Sequence, residues 1–180
     1  MTEDIRARMV ELLPRLRRFA YTLTRDWDKG DDLVQETCMR ALSRIDQWEP
    51  GTRLDSWMYR IAQNIWRDRL RATKVRGEVV DIDTAHDIIG SDGRQVTEGR
   101  LLLSVVNAAL ADLPPEQQEL VALVCVEGLS YKEAAEVLQI KIGTVMSRLA
   151  RARKALHEAV SRKPRGPEVV TGESQRARSR

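Results

Sequence analysis

The sequence predicts an all-α chain of two small helical domains, an N-terminal helical bundle and a C-terminal helix-turn-helix, joined by a flexible linker. Three observations carry that expectation. Apolar residues recur at helical spacing along both ends of the chain. Aromatic residues contribute only 4% of the sequence, which argues against an aromatic-rich β-sandwich, while a 42% hydrophobic share suffices for packed cores. A Gly- and Asp-rich stretch from Thr73 to Thr97 separates the two helical zones. Against roughly 150 residues per domain, a length of 180 residues excludes a large multidomain enzyme.

In the first zone, Ile5 to Leu13 and Leu16 to Thr24 have helical apolar spacing, interrupted at Pro14, since proline lacks an N–H and crowds the preceding turn. Asp31 to Trp48 follows, with Val34, Cys38, Ala41 and Ile45 at i, i+4, i+7 and i+11 forming a buried stripe. Asp28 is a candidate N-cap, and Asp31 and Asp32 suit the positive end of the helix dipole. Asp32, Gln35, Glu36, Met39 and Arg40 fall largely off the stripe. Pro50 and Gly51 make a turn before a longer helix, Leu54 to Ala72, whose Leu54, Met58, Ile61 and Ile65 supply the next stripe.

That helix presents an opposite face of a different kind. Arg60, Asn64, Arg67 and Arg71 recur at i, i+4, i+7 and i+11, with Trp57, Tyr59 and Trp66 on or beside it. Cations, an amide and flat rings suit a single nucleic-acid strand: phosphates pair with arginine, and each stacked base contributes about 1–3 kcal/mol. The competing reading places the tryptophans in the core of a small bundle as bulky filler.

The stretch Thr73 to Thr97 holds three bases and five acids, and Asp83, Gly90, Ser91, Asp92 and Gly93 oppose regular structure, with room for a short helix around Ala85 to Ile89. The second zone opens with Gly99 to Asp112. Its next helix starts at Pro114-Pro115 and stops at Gly128, the expected proline-first, glycine-last asymmetry. Ser130 and Glu133 fit a capping box, and Ala134, Ala135 and Leu138 allow close helix packing. A turn at Gln139-Ile140 leads into a last helix whose Val145, Leu149, Ala152, Leu156 and Val160 define a buried face. The remaining face carries Lys141, Thr144, Arg148 and Arg151, with Ser147 and Lys154 alongside. Cationic forks and short hydroxyls on one side of a helix suit phosphates and purine edges in a major groove. Short helix, tight turn and basic helix together make a helix-turn-helix; a protein-interaction bundle with a basic face is the alternative.

Charge is unevenly spread. The net value is +3, yet Asp112 to Glu136 holds six acids and one base, whereas Lys141 to Lys163 holds seven bases and one acid. A solvated basic face balanced by an acidic neighbour explains this as well as a nucleic-acid partner does. The longest uncharged run, Leu101 to Ala111, is shorter than a membrane span, and the start MTEDIRARM lacks the apolar segment of a signal peptide, so a cytoplasmic chain without membrane insertion is expected. Cys38 and Cys125 lie far apart without any CxxC or Cys/His cluster and are expected to pack as small apolar residues, with neither disulfide nor zinc. A divalent-metal enzyme using Asp31, Asp32 and Glu36 is disfavoured: no second acidic cluster matches them, His86 lies in the linker and His157 on a basic helix. No cofactor is expected.

Taken together, DDLVQETCMRAL (31–42), LDSWMYRIAQNIWRDRLR (54–71) and ALADLPPEQQELVALVCVEGLSYKEAAEVLQIKIGTVMSRLARARKAL (109–156) resemble extracytoplasmic-function sigma factors, the smallest class of bacterial sigma factor. LPPEQQ, the GLSYKEAAEVL helix and GTVMSRLARAR are specific in combination, and the resemblance spans nearly the whole chain outside linker and tail. It implies a chain that reprograms RNA polymerase and catalyses nothing itself. Residues 1–72 would form the domain for core polymerase and minus-10 DNA, 73–97 the linker, 98–163 the minus-35 domain and 164–180 a disordered basic tail. By the same resemblance, Asp32, Gln35, Glu36 and Arg40 would dock on clamp helices of the largest polymerase subunit. Trp57, Arg60, Asn64, Arg67 and Arg71, with the loop Trp48 to Arg53, would take a flipped base and the melted non-template strand, Asn64 touching that strand. Lys141, Thr144, Ser147, Arg148 and Arg151 would read the minus-35 duplex. An anti-sigma factor is a further implied partner. Met146 and Lys141 depart from the family pattern, which commonly has a basic residue and a proline there, so base preference does not carry across. A stand-alone helix-turn-helix regulator is the competing function. The linker's 25 residues would span about 25–30 Å as coil and about 80 Å extended, against roughly 70 Å of duplex between promoter elements two turns apart.

Overall fold

The computed structural model describes residues 2–76 and 98–161, in which every regular element is helical. The order is α1 (Thr2–Thr24), α2 (Trp27–Ser43), a 3-10 turn (Ile45–Gln47), α3 (Leu54–Arg76), α4 (Glu98–Ala111), α5 (Pro115–Leu120) continued by a π-helical segment (Val121–Val126), α6 (Tyr131–Leu138) and α7 (Ile142–Ser161). The expected short helix at 85–89, His86 and the tail 164–180 lie outside the described residues.

Pro14 does not end a helix. α1 runs through it, because Ile5 and Met9 before the proline and Leu16, Phe19, Ala20 and Leu23 after it are all buried in one core. That burial outweighs the roughly 3 kcal/mol an internal proline costs. α2 begins earlier than its apolar spacing suggested. The cap is Asp26, not Asp28: its side chain accepts the Lys29 N–H at 3.0 Å. Arg25, at φ +56°, reverses the chain just before it. The buried face of α2 comprises Gly30, Leu33, Val34, Thr37 and Ala41, so Cys38 and Ile45 are half-buried and Ile45 belongs to the 3-10 turn. Close packing explains Gly30, since a Cβ there would lie 3.3 Å from Thr24 Oγ1.

The turn at Pro50-Gly51 is present, with Gly51 at φ +92°, a region glycine enters without steric cost. α3 then buries Leu54, Met58, Tyr59, Ala62 and Ile65, and continues four residues past the expected Ala72. Trp48 is buried, with the Arg8 guanidinium 5.3 Å from its ring centroid. Trp57 and Trp66 are half-buried against the core. Gly128, at φ +73°, closes the α5 region as expected. Cys125 corrects an expectation: the π-helical segment carries Val121, Ala122 and Leu123 inward and leaves Cys125 exposed. Val160 also departs from the predicted buried stripe, being exposed.

The two zones pack on one another. α1 meets α5 and the π-helical segment, α3 meets α6, and the buried residues of both zones form one connected cluster. Among the described residues, no helix is long and apolar enough to cross a membrane.

Candidate nucleic-acid and polymerase interfaces

α7 is oriented by its own burial. Val145, Leu149 and Ala152 have essentially no exposed surface, which turns Lys141, Ser147 and Arg151 to solvent and leaves Thr144 and Arg148 half-exposed. α6 packs against it and starts at a complete capping box: the Ser130 hydroxyl accepts the Glu133 N–H at 3.2 Å and the Glu133 carboxylate accepts the Ser130 N–H at 2.7 Å. Gln139 then adopts the left-handed conformation, φ 54°, making the turn tight. Arg151 Nε donates to the Ser147 carbonyl 3.3 Å away, one turn back, and so keeps its guanidinium along the helix surface. Sequence reasoning brought these five residues to one face. It missed Ile142, 51% exposed, which lies one turn before Met146, 54% exposed. Their i, i+4 spacing off the buried stripe was the available signal.

α3 is a second basic helix with a different fate. Arg67 forms a two-pronged pair with Glu119, Nε donating at 2.9 Å and the terminal nitrogen at 2.7 Å. Glu119 is 1% exposed, and the buried amide of Gln63 lies within reach of both groups. Hydrogen bonding to Glu119 raises the Arg67 pKa above its ordinary value. Arg60 donates to the Glu136 carbonyl at 2.5 Å, and its Nε, though buried, has no partner. Arg71 turns to Asp68 on its own helix at 3.0 Å. Trp57 lies half-buried, and Asn64 is exposed between Arg60 and Arg67. Of the five residues expected to meet a strand, two are therefore held by the second zone.

The same seam continues onto α1 and the loop before α3. Glu127, fully buried at its side chain, accepts from Arg15 at 3.1 Å, from Arg18 at 3.4 Å and from the Tyr59 hydroxyl at 2.6 Å. Burial, and then the hydrogen bond to Glu127, push the Tyr59 hydroxyl well above its ordinary pKa. Arg53 joins Asp55 to Glu133 across the seam. Arg25 donates to the Asn107 carbonyl at 2.7 Å, while its Nε and second terminal nitrogen are buried without partners. Burial lowers the Arg25 pKa. Sequence reasoning missed Gln63, Glu119 and Glu127. The acid-rich composition of 112–136 was the available signal, but it named no partner.

α2 offers a third surface. Asp32 and Gln35 are exposed. Glu36 is clasped by Arg40 at 2.6 Å and by Arg69 of α3 at 2.8 Å. Partial burial opposes its ionisation, but those two guanidiniums prevail and hold its carboxyl below the usual range. Met39 and Leu42 add exposed apolar surface beside them. Asp31 is engaged by Arg17 in two hydrogen bonds of 2.7 Å.

Two family descriptions match the chain. Residues 9–76 match the family description Sigma-70 region 2, and residues 104–156 match Sigma-70, region 4. An ECF RNA polymerase sigma factor, EcfG, of Rhodopseudomonas palustris is 38% identical over 157 residues, covering 87% of this chain and 84% of that one. The ECF RNA polymerase sigma factor SigE of Mycolicibacterium smegmatis is 34% identical over 152 residues, covering 82% of this chain and 58% of that one. Among solved structures, the sigma factor RpoE in complex with the anti-sigma factor NepR from Bartonella quintana aligns with a TM-score of 0.74 at 29% identity, covering 90% of this chain and 99% of that chain.

Proposed function

The chain belongs to the extracytoplasmic-function group of the sigma-70 family, and from that premise we propose how its surfaces divide a sigma factor's work. The exposed residues of α2, Asp32 and Gln35, with Glu36 and Arg40, dock on core RNA polymerase. Trp57, Arg60, Asn64, Arg67 and Arg71 on α3, with the loop Trp48 to Arg53, take the melted minus-10 strand. Lys141, Thr144, Ser147, Arg148 and Arg151 on α7 contact the minus-35 duplex. The chain's role is to bind, orient and open DNA in the cytoplasm, where polymerase works, while polymerase performs the chemistry. Residues 1–72 and 98–163 act as the two working domains, with 73–97 spanning between promoter elements.

The observation that carries this reading is the order of two independent region matches, each lying over one of the two nucleic-acid faces argued from residue chemistry alone. Control by an anti-sigma factor belongs to the same proposal, supported by the NepR-bound relative. The test is transcription in vitro with core polymerase on a promoter library. The reading expects start sites selected only when the chain is present; a chain that leaves core polymerase unselective on every template contradicts it.

A further inference from the structure

We propose that Ile142 and Met146 form an apolar reading edge for thymine: in the minus-35 duplex they receive C5-methyl groups and so contribute to base choice. The inference rests on the assignment of α7 to that duplex and deepens it by naming the base its apolar side selects.

α7 is divided lengthwise, and the division carries the proposal. Val145, Leu149 and Ala152 are buried. At roughly 3.6 residues per turn, this sends Thr144, Arg148 and Arg151 to one flank of the helix and Ile142 and Met146 to the other. Between the flanks lie small exposed residues, Gly143, Ser147 and Ala150, and a Cβ added at Gly143 would meet nothing within 4 Å. The Ser147 hydroxyl folds back to donate to the Thr144 carbonyl at 3.1 Å. Such a midline lets the backbone approach the floor of a major groove, which admits an α-helix, and the longer side chains on both flanks then reach base edges.

Ile142 and Met146 are one turn apart and 51% and 54% exposed. Two large apolar side chains left in water contribute nothing to the stability of the free chain, since burial is what stabilises such surface. Charge selects what covers them. Lys141 and Arg151 are exposed, and among the described residues neither they nor Arg148 form an ion pair, so the occupant of this face is a polyanion. In the major groove its bases present hydrogen-bonding atoms and one kind of apolar group, the thymine methyl. Arg153, two turns beyond Met146 on the same flank, donates to the Tyr131 hydroxyl at 3.0 Å, which holds its guanidinium against α6. An A·T pair offers both chemistries at once, donor and acceptor atoms on adenine and a methyl on thymine, and so matches the two flanks.

The experiment uses holoenzyme reconstituted from the full chain and core polymerase, on a promoter chosen from a library, with protection of the upstream duplex as the measure of affinity. Each thymine of the protected minus-35 duplex is replaced in turn by deoxyuridine, which keeps the hydrogen-bonding atoms and lacks the methyl. The expected result is at least one position at which the parent binds about four-fold more weakly, the effect of losing one buried methyl group. There, either Met146→Ala or Ile142→Ala should bind thymine and deoxyuridine alike, whereas Arg148→Ala should weaken both and keep the difference. At the same position 5-methylcytosine should bind the parent about four-fold better than cytosine, and the methyl-blind variant should not distinguish them. Both substituted side chains are exposed, and the change in the DNA leaves the protein intact, so a folding defect does not imitate this result.

A selected minus-35 duplex without thymine, or one in which no deoxyuridine weakens binding, overturns the proposal. So does a deoxyuridine effect that survives in both variants. If Arg148→Ala still weakens upstream protection in any of these cases, α7 remains the duplex reader and only the methyl contact is wrong. If Arg148→Ala changes nothing, the assignment of α7 itself fails, and the proposal with it.

Discussion

α3 and α7 are both arginine-bearing helices with one apolar stripe, yet they are presented in opposite ways. On α7, among the described residues, neither Lys141 nor Arg148 forms an ion pair, and Arg151 bonds only to its own helix's carbonyl at Ser147. On α3, Arg67 is locked to a buried carboxylate, Arg60 to a carbonyl of the other zone, and Arg69 to Glu36 of α2. Helical periodicity and charge are the same signal in both. What separates them is tertiary: α7 packs through its stripe and leaves Lys141 and Arg151 exposed, whereas α3 lies between α2 and the second zone and is gripped from both sides. A duplex, which meets the protein as a preformed polyanion, suits the first presentation. A strand that exists only after opening suits the second.

The comparison breaks most visibly if the scaffold of α7 is removed. Leu149→Ala empties a fully buried site and is expected to cost about 2–5 kcal/mol of stability, read as a lower urea midpoint together with loss of duplex binding. An unchanged midpoint would mean that α7 is not oriented by its apolar stripe. Glu127→Ala comes next. It strands the Tyr59 hydroxyl and removes the acceptor shared by Arg15 and Arg18, an expected loss of about 1–3 kcal/mol, moderated because both arginines keep contact with water. The same variant should leave the duplex affinity of the folded chain intact, since no residue of that seam lies on the α7 face.

Smaller effects sharpen the contrast. Ser130→Ala removes the hydroxyl half of the α6 capping box and should cost about 1 kcal/mol, read as a lower urea midpoint. Acid should act the other way, on the seam. Burial disfavours ionised Asp55, but hydrogen bonds from Arg53 and from the Ser56 N–H prevail, so its carboxyl titrates below the usual range. A folded pKa below the unfolded one gives stabilisation that is complete above the unfolded value, about 4, and is lost as pH falls through the lower folded value. Glu36, lowered by Arg69 and Arg40 against its own burial, adds the same sign between α2 and α3. Urea midpoints measured from pH 7 downward should therefore drop below about pH 4, less steeply in Asp55→Asn; an equal slope in that variant would exclude Asp55 from the effect.

Much of this architecture was legible in local sequence. The capping box at Ser130 and Glu133, the turn at Gly51, the glycine stop at Gly128, and the α7 stripe through Ala152 rest on neighbouring residues and short-range sterics. Pro14 shows the limit: the local rule ends a helix there, but buried residues on both sides hold α1 continuous. The start of α2 was misplaced because Asp26 caps only after Arg25 has taken a positive φ, which no periodicity announces. The candidate faces on α2, α3 and α7 follow from spacing, whereas the residue pairs of the seam could not be read. Its pairs join residues 52 and 112 positions apart in Arg67–Glu119 and Arg15–Glu127, and a charge-rich segment says that a counter-surface exists without saying where.

The division between strand and duplex is tested most directly by comparing Asn64→Ala with Arg148→Ala in reconstituted holoenzyme on a promoter chosen from a library. Permanganate reactivity of promoter thymines reports opening, and protection of the upstream duplex reports minus-35 contact. The account predicts that Asn64→Ala loses reactivity while keeping upstream protection, and that Arg148→Ala loses about 1–3 kcal/mol of duplex affinity but regains opening on a premelted template. Equal loss of both signals in both variants would contradict it.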